Sequence, residues 1–334
     1  MTALRFTPLT LTSGLTLKNR LVVPPMASQT ADENGLATPT TIAHYHHLAQ
    51  SGAGLVMVEY SHVNLAGRSE ANQLGAHDDA CLPGLTQIAT TLHNAGVKTG
   101  LQITHCGGKD SAGISSDVMG PSGITVPAYD RVLPTPRTMT IDDIKQWQQD
   151  FVAAAIRADK AGFDLVEIHC AHGYGINQWL SPLTNQREDI YGGKLENRAR
   201  ILIEIVTHIK QLAPRLAVMT RIPGQDGYPG GLSHADMAQI SQWLVAAGVE
   251  ILNVSSGIGG WNRPKDKRGE GFLVEDAAPL TGKTTAAVIG VGGIESVDYI
   301  ETILATKQVD LVAVGRAILA GPAEFAHRVM QSSL

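Results

Sequence analysis

The residues best equipped for chemistry stand together in Glu167-Ile168-His169-Cys170-Ala171-His172-Gly173-Tyr174. Two imidazoles and a phenol follow the apolar run Asp164–Ile168, which reads as a buried strand, and Gly173 marks a turn just beyond it. The C-terminal end of one strand would then deliver all three groups to one place. Imidazole donates a hydrogen bond near neutral pH, and a phenol can give up a proton. The set suits an anionic or carbonyl substrate that is held and then protonated. A pair of satisfied structural histidines would give the same motif, so the elements around it must decide.

Short apolar runs alternate with longer helical patterns from end to end. Strands are expected over Arg20–Val23, Leu55–Glu59, Thr99–Thr104, Asp164–Ile168, Ala217–Ile222, Glu250–Val254, Ala287–Val291 and Asp310–Val314. Several are near-continuous in Val, Ile and Leu, as strands covered on both faces are. Helical patterns fall over Thr40–Gln50, Pro83–Asn94, Ile141–Lys160, Leu195–Leu212, His234–Ala247 and Ser296–Ala305. The pair Ala-Gly recurs at 95–96, 161–162 and 247–248, each time ahead of a strand, where glycine supplies a left-handed helix cap. Units of about 39 residues predict a single (β/α)8 TIM barrel domain over residues 1–334. The competing open doubly wound sheet would carry G-x-G-x-x-G after its first strand, where this chain has Pro24-Pro25-Met26. Leu9–Leu17 reads as a short N-terminal hairpin closing the barrel's bottom. Cys106–Thr140, rich in Gly, Pro and Ser, is expected to be a long functional loop after strand 3, over the barrel's top.

Composition narrows the function classes. The 334 residues are 43% hydrophobic and 17% charged, enough for a large core, and the net charge of −5 comes without a long basic run. Nucleic acid and anionic membrane are therefore not expected partners. The N-terminus resembles neither a signal nor a transit peptide, and no apolar run is long enough to span a bilayer, so a cytoplasmic location is expected. Three scattered cysteines supply neither a disulfide framework nor the ligands of an iron–sulfur cluster. His44-Tyr45-His46-His47 lies on a helical pattern without nearby carboxylates, and no metal site is expected.

Each remaining strand end carries something distinctive. Strands seven and eight end in Val291-Gly292-Gly293 and Val314-Gly315-Arg316. Glycines let backbone N–H groups approach an anion, Arg316 adds a charged fork, and in an eight-stranded barrel these two loops are the common phosphate site. Gln102 and Arg221 are polar where apolar strands end. An amide and a guanidinium together could satisfy a carbonyl–imide–carbonyl edge. Arg221 taken singly could equally pair with a carboxylate at the edge of the core.

These stretches resemble the old yellow enzyme family, the FMN-dependent ene-reductases and their NADH:flavin oxidoreductase relatives. The likeness runs through Leu17-Lys18-Asn19-Arg20-Leu21-Val22-Val23-Pro24-Pro25-Met26, Glu167 to Tyr174, and Leu180-Ser181-Pro182-Leu183-Thr184-Asn185-Gln186-Arg187. It continues through Asp189, Tyr191-Gly192-Gly193, Glu196-Asn197-Arg198 and Arg200. The resemblance implies non-covalent FMN at the barrel mouth and NAD(P)H as electron donor. It places Pro24, Pro25 and Met26 against the isoalloxazine, with Ala27 and Tyr60 beside it. It also places Gln102 and Arg221 at the pyrimidine edge, and Gly292, Gly293, Gly315 and Arg316 at the phosphate. His169 and His172 would hold a substrate's carbonyl or nitro oxygen. Tyr174 would protonate the α-carbon of an activated alkene after hydride reaches the β-carbon.

The chain departs from the family's habits in places. Ala27 stands where relatives place Cys or Thr against flavin O4, Gln29 where many have tyrosine, and Tyr60 where a small residue is common. Gly108 replaces a frequent arginine. The chain ends soon after its eighth helical pattern, without the C-terminal extension through which some relatives lend an arginine to a neighbour's site; a shared active site is therefore not claimed, and the oligomeric state stays open, homo-oligomer included. Two other activities fit parts of the pattern. Flavin-dependent amine demethylation uses the same scaffold, although a cation would want aromatic or anionic neighbours. A non-redox phosphate-binding barrel, such as an aldolase, lacks its lysine at a strand end.

Overall fold

The computed structural model describes residues 3–110, 112–129, 131–261 and 268–331. Eight parallel strands close into a barrel: β1 Leu21–Val23, β2 Leu55–His62, β3 Lys98–Thr104, β4 Leu165–His169, β5 Ala217–Pro223, β6 Val249–Ser255, β7 Ala287–Gly290 and β8 Leu311–Ala313. Each pairs with the next, and β8 closes onto β1. The expected (β/α)8 fold is therefore the observed one.

Helices cover the outside and start where the chain supplies caps. Thr38, Thr140 and Ser233 each accept a hydrogen bond from the backbone three residues on, and the side chain at that position answers, opening Pro39–Ala49, Ile141–Lys160 and His234–Ala246. The Ala-Gly pairs end helices as expected, with φ of 69°, 89° and 111° at Gly96, Gly162 and Gly248. After β6 the long helix is replaced by the four-residue Val274–Ala277. The hairpin pairs Leu9–Thr10 with Thr16–Leu17, and Leu11 and Leu17 join the apolar cluster inside the barrel.

Alternation along each strand divides the barrel interior into two levels. At the lower level Val22, Leu55, Met57, Leu165, Ile251 and Leu311 form part of one buried cluster. Gly100 of β3 belongs to this level. A Cβ there would stand 2.2 Å from Leu165 Cδ1 and 2.6 Å from Met57 Sδ, so only glycine lets the layer close. Two residues further along the same strands the inward side chains turn polar: Gln102, Glu167, Arg221 and Asn253, all buried.

One boundary differs from expectation with consequence. Strand β2 runs on to His62, and its pairing with β3 slips between Val58 and Ser61, where one extra residue is inserted. Such a bulge reverses the alternation. Glu59 reaches Tyr45 on the covering helix instead of pointing inside, and Tyr60 turns to the barrel mouth. The segment 106–140, which includes two residues outside the described set, is more ordered than its composition suggested. Met119–Gly120 pairs with Arg137–Thr138, and Arg137 binds both Asp117 and Asp143.

Candidate active site

A cleft of about 800 Å³ opens at the C-terminal end of the strands. That volume is ample for a nucleotide-sized cofactor together with a small substrate. Three groups of residues line it, and they coincide with the three kinds of chemistry read from the strand ends.

The first group would take an anion. Gly292 and Gly293 follow β7 with φ of 123° and 67°. A side chain on Gly293 would come 3.1 Å from Arg316 Nη2, and one on Gly292 would come 3.0 Å from the Leu273 nitrogen. Gly315 packs against β1's exit, where an added Cβ would be 3.3 Å from both Met26 Sδ and Pro24 Cγ. Pro25, Met26 and Ala27 line the cleft, but Pro24 does not. It is buried just behind them, packed against the glycine turn at Gly315. Arg268 also lines this end, a residue that sequence reasoning passed over because it lies between strands.

The second group is the polar level of the barrel. Gln102 Nε2 donates to Glu167 Oε2 at 3.1 Å, and Asn253 Nδ2 donates to Glu167 Oε1 at 2.7 Å. Burial raises the Glu167 pKa to about 7 against the pull of Arg221's charge and the two amides. Arg221 Nη2 donates to Ser255 Oγ at 3.4 Å, while Arg221 Nε and Asn253 Oδ1 have no partner within the described protein. An unpaired buried guanidinium nitrogen is costly unless something fills the cleft above it. Gln102 and Arg221 thus offer a flat ligand a polar edge, and the glycine turns offer its phosphate a cradle. The arrangement fits FMN.

The third group is the histidine–tyrosine cluster. The rings of His169 and His172 lie 5.0 Å apart, and those of His169 and Tyr174 4.8 Å apart. His169 Nδ1 accepts from the Ala171 N–H at 3.2 Å, so its proton sits on Nε2. Burial, then the charges of Arg221 and Lys109, hold its pKa well below the usual imidazole value, and it is neutral at pH 7. His172 Nε2 is 2.6 Å from Ser255 Oγ. Because that oxygen accepts from Arg221, its own hydroxyl is best used toward His172, which leaves Nδ1 as the protonated nitrogen. Burial pushes the Tyr174 phenol up to about 12, with the Ser69 and Tyr60 hydroxyls pulling it down, so it stays protonated. Lys109 Nζ lies 4.5 Å from the centre of its ring and donates to the His172 carbonyl. Tyr60 lines the cleft 5.6 Å from Tyr174 and narrows this end.

Two of the three non-glycine residues with positive φ among the described residues, Gln29 and His172, line this cleft. Sequence reasoning missed Glu167 as a functional side chain, and missed Asn253 and Ser255 entirely. The signal was available in their phase: Asn253 is two residues from Ile251, as Gln102 is from Gly100.

The chain matches the model of the NADH:flavin oxidoreductase / NADH oxidase family over residues 5–333. It is 38% identical over 318 residues to an NADPH dehydrogenase of Bacillus pumilus, covering 95% of this chain and 91% of that one. It is 37% identical over 309 residues to an NADPH dehydrogenase of Listeria welshimeri, covering 92% and 89%. Among solved structures, morphinone reductase superposes with a TM-score of 0.81 at 26% identity, over 99% of this chain and 90% of that one. A 2-naphthoyl-CoA reductase shares the fold with a TM-score of 0.92 at 24% identity, over 99% of this chain and 52% of that one.

Proposed function

The chain belongs to the NADH:flavin oxidoreductase / NADH oxidase family, the old yellow enzymes, and is an FMN-dependent NAD(P)H oxidoreductase; from that premise we propose that it reduces activated C=C bonds of enones, enals and nitroalkenes. The observation that carries this reading is the convergence of His169, His172 and Tyr174 on one end of the cleft. FMN, held non-covalently between the glycine turns and the Gln102–Arg221 edge, supplies hydride obtained from NAD(P)H.

The protein's own groups then have distinct tasks. His169 Nε2–H and the His172 imidazole hold the carbonyl or nitro oxygen. Negative charge gathers on that oxygen as the β-carbon is reduced, and two fixed donors in a buried site stabilise it there. A neutral His169 suits this task, since it donates without giving up its proton. Tyr174, protonated at pH 7, gives its hydroxyl proton to the α-carbon. Pro25, Met26 and Ala27 pack along one side of the ligand, and Tyr60 limits its bulk.

Tyr174→Phe tests the assignment. Enone reduction should fall by about 10²–10⁴, while reduction of the enzyme by NADPH and tight binding of a phenol persist. Undiminished enone turnover in this variant, or wild-type turnover of a methylamine exceeding that of an enone, would overturn the reading.

A further inference from the structure

Glu167 has no task in the chemistry above, yet it is the centre of the barrel's polar level. It is fully buried, it is the register partner of Gln102, and its two oxygens accept from two different strands. An amide can present either its oxygen or its nitrogen to a ligand, and nothing in the local backbone chooses for Gln102. The bond to Glu167 does choose. Once ionised, above its pKa of about 7, Glu167 only accepts, so it faces Nε2, and the carbonyl oxygen of Gln102 becomes the group offered to the cleft. On the neighbouring strand, Arg221 carries a positive charge that this same carboxylate stabilises.

We propose that Glu167 is a positioning residue for the flavin: it orients Gln102 so that an acceptor meets the ring's imide N–H, and it offsets the Arg221 charge beneath the pyrimidine edge. The two effects are separable. Orientation governs which flavins bind, since a ring lacking the imide N–H cannot use the acceptor. Charge governs how strongly the anionic reduced ring is favoured over the oxidised one, since an unopposed Arg221 favours the anion. The proposal rests on FMN lying over Gln102 and Arg221, as proposed above. A wild-type protein that failed to prefer FMN over N3-methyl-FMN would remove that placement rather than the role of Glu167.

The test compares wild type with Glu167→Gln at pH 8.5, above the Glu167 pKa of about 7. Binding of FMN and N3-methyl-FMN to the apo-protein is measured, together with the midpoint potential of bound FMN. The glutamine keeps the shape, removes the charge and can itself donate, so Gln102 is free to flip. Wild type should prefer FMN at least tenfold, and the variant should lose that preference. The potential should rise by about 30 mV, the equivalent of a tenfold gain in relative affinity for the reduced form. An unchanged preference with an unchanged potential overturns the proposal, even if the variant melts earlier, because a purely structural glutamate would alter only stability. If Glu167→Gln yields no folded protein, Glu167→Asp decides. The shorter side chain keeps the charge and withdraws from both amides. The preference for FMN should fall while the potential holds, and an intact preference would overturn the orienting role.

Discussion

Leu165 and Glu167 are neighbours in phase on one strand, and both point into the same barrel. Around Leu165 every partner is apolar, the layer fills itself, and a single glycine makes the room it needs. Around Glu167 two amides and a guanidinium meet in a space equally buried, and Arg221 Nε and Asn253 Oδ1 are left without partners in the described protein. The lower level is complete as folded. The upper level has desolvated polar groups that packing alone does not repay, and a ligand with complementary donors and acceptors would complete it. Stability and cofactor binding are thereby assigned to adjacent levels of one barrel, two residues apart.

The largest effect that can break this division is at the lower level. Leu165→Ala should cost about 2–5 kcal/mol of stability in urea unfolding, while the folded fraction binds FMN with wild-type affinity. A parallel loss of affinity would mean that the two levels act as one. Next comes pH. The folded pKa of Glu167 is raised by burial to about 7 from 4.5. Between those values the native apo-protein keeps a proton that the unfolded chain has released, so stability falls as pH rises. The total is roughly 3 kcal/mol by linkage. Urea titrations from pH 5 to 8 should show this slope reduced in Glu167→Gln. Superimposable slopes would show that water reaches the upper level in the apo-protein.

His169→Ala should weaken phenol binding to the holoenzyme by about 1.5–3 kcal/mol, read from the shift of the flavin spectrum, and should change unfolding less than Leu165→Ala does. Phenol affinity equal to wild type would detach His169 from the oxygen site. The smallest effect is at Ala27, which is exposed at the cleft. A threonine there should give flavin O4 a donor, favouring the reduced form by about 1 kcal/mol, or some tens of millivolts for two electrons. Potentiometry of Ala27→Thr should show the potential rise. A fall or no change would mean that position 27 faces elsewhere.

The barrel was legible because its code is simple: apolar runs, helical periods and capped turns alternate along most of the chain, and strand ends fell within a few residues. The bulge in β2 was not, since no residue type announces an inserted register slip, and it alone decides that Tyr60 rather than Glu59 enters the mouth. Gln102 and Arg221 were readable because polar residues at strand ends are conspicuous. Asn253 and Ser255 sit where an apolar strand gives way to its loop, and their value lies in whom they touch across the sheet. The caution that Arg221 could pair with a carboxylate was partly right: Glu167 tempers its charge without a direct bond. In the loop after β3, order comes from Arg137 bridging Asp117 and Asp143, a long-range pairing that composition hides.

His172 holds its backbone at a φ of 62°, in a region that most side chains avoid and that Asn, Asp and His occupy more readily than others. The two histidines of the oxygen site are thus unequal as objects of variation. At position 169, on a regular strand, the alphabet is open, and any side chain that fits can be tried. At position 172 conformation filters the alphabet before chemistry does. A β-branched or bulky residue is excluded whatever donor it bears, and asparagine is the replacement that keeps both the bend and a donor. Retuning this pocket for new oxygen-bearing substrates therefore has one wide dial and one with very few settings.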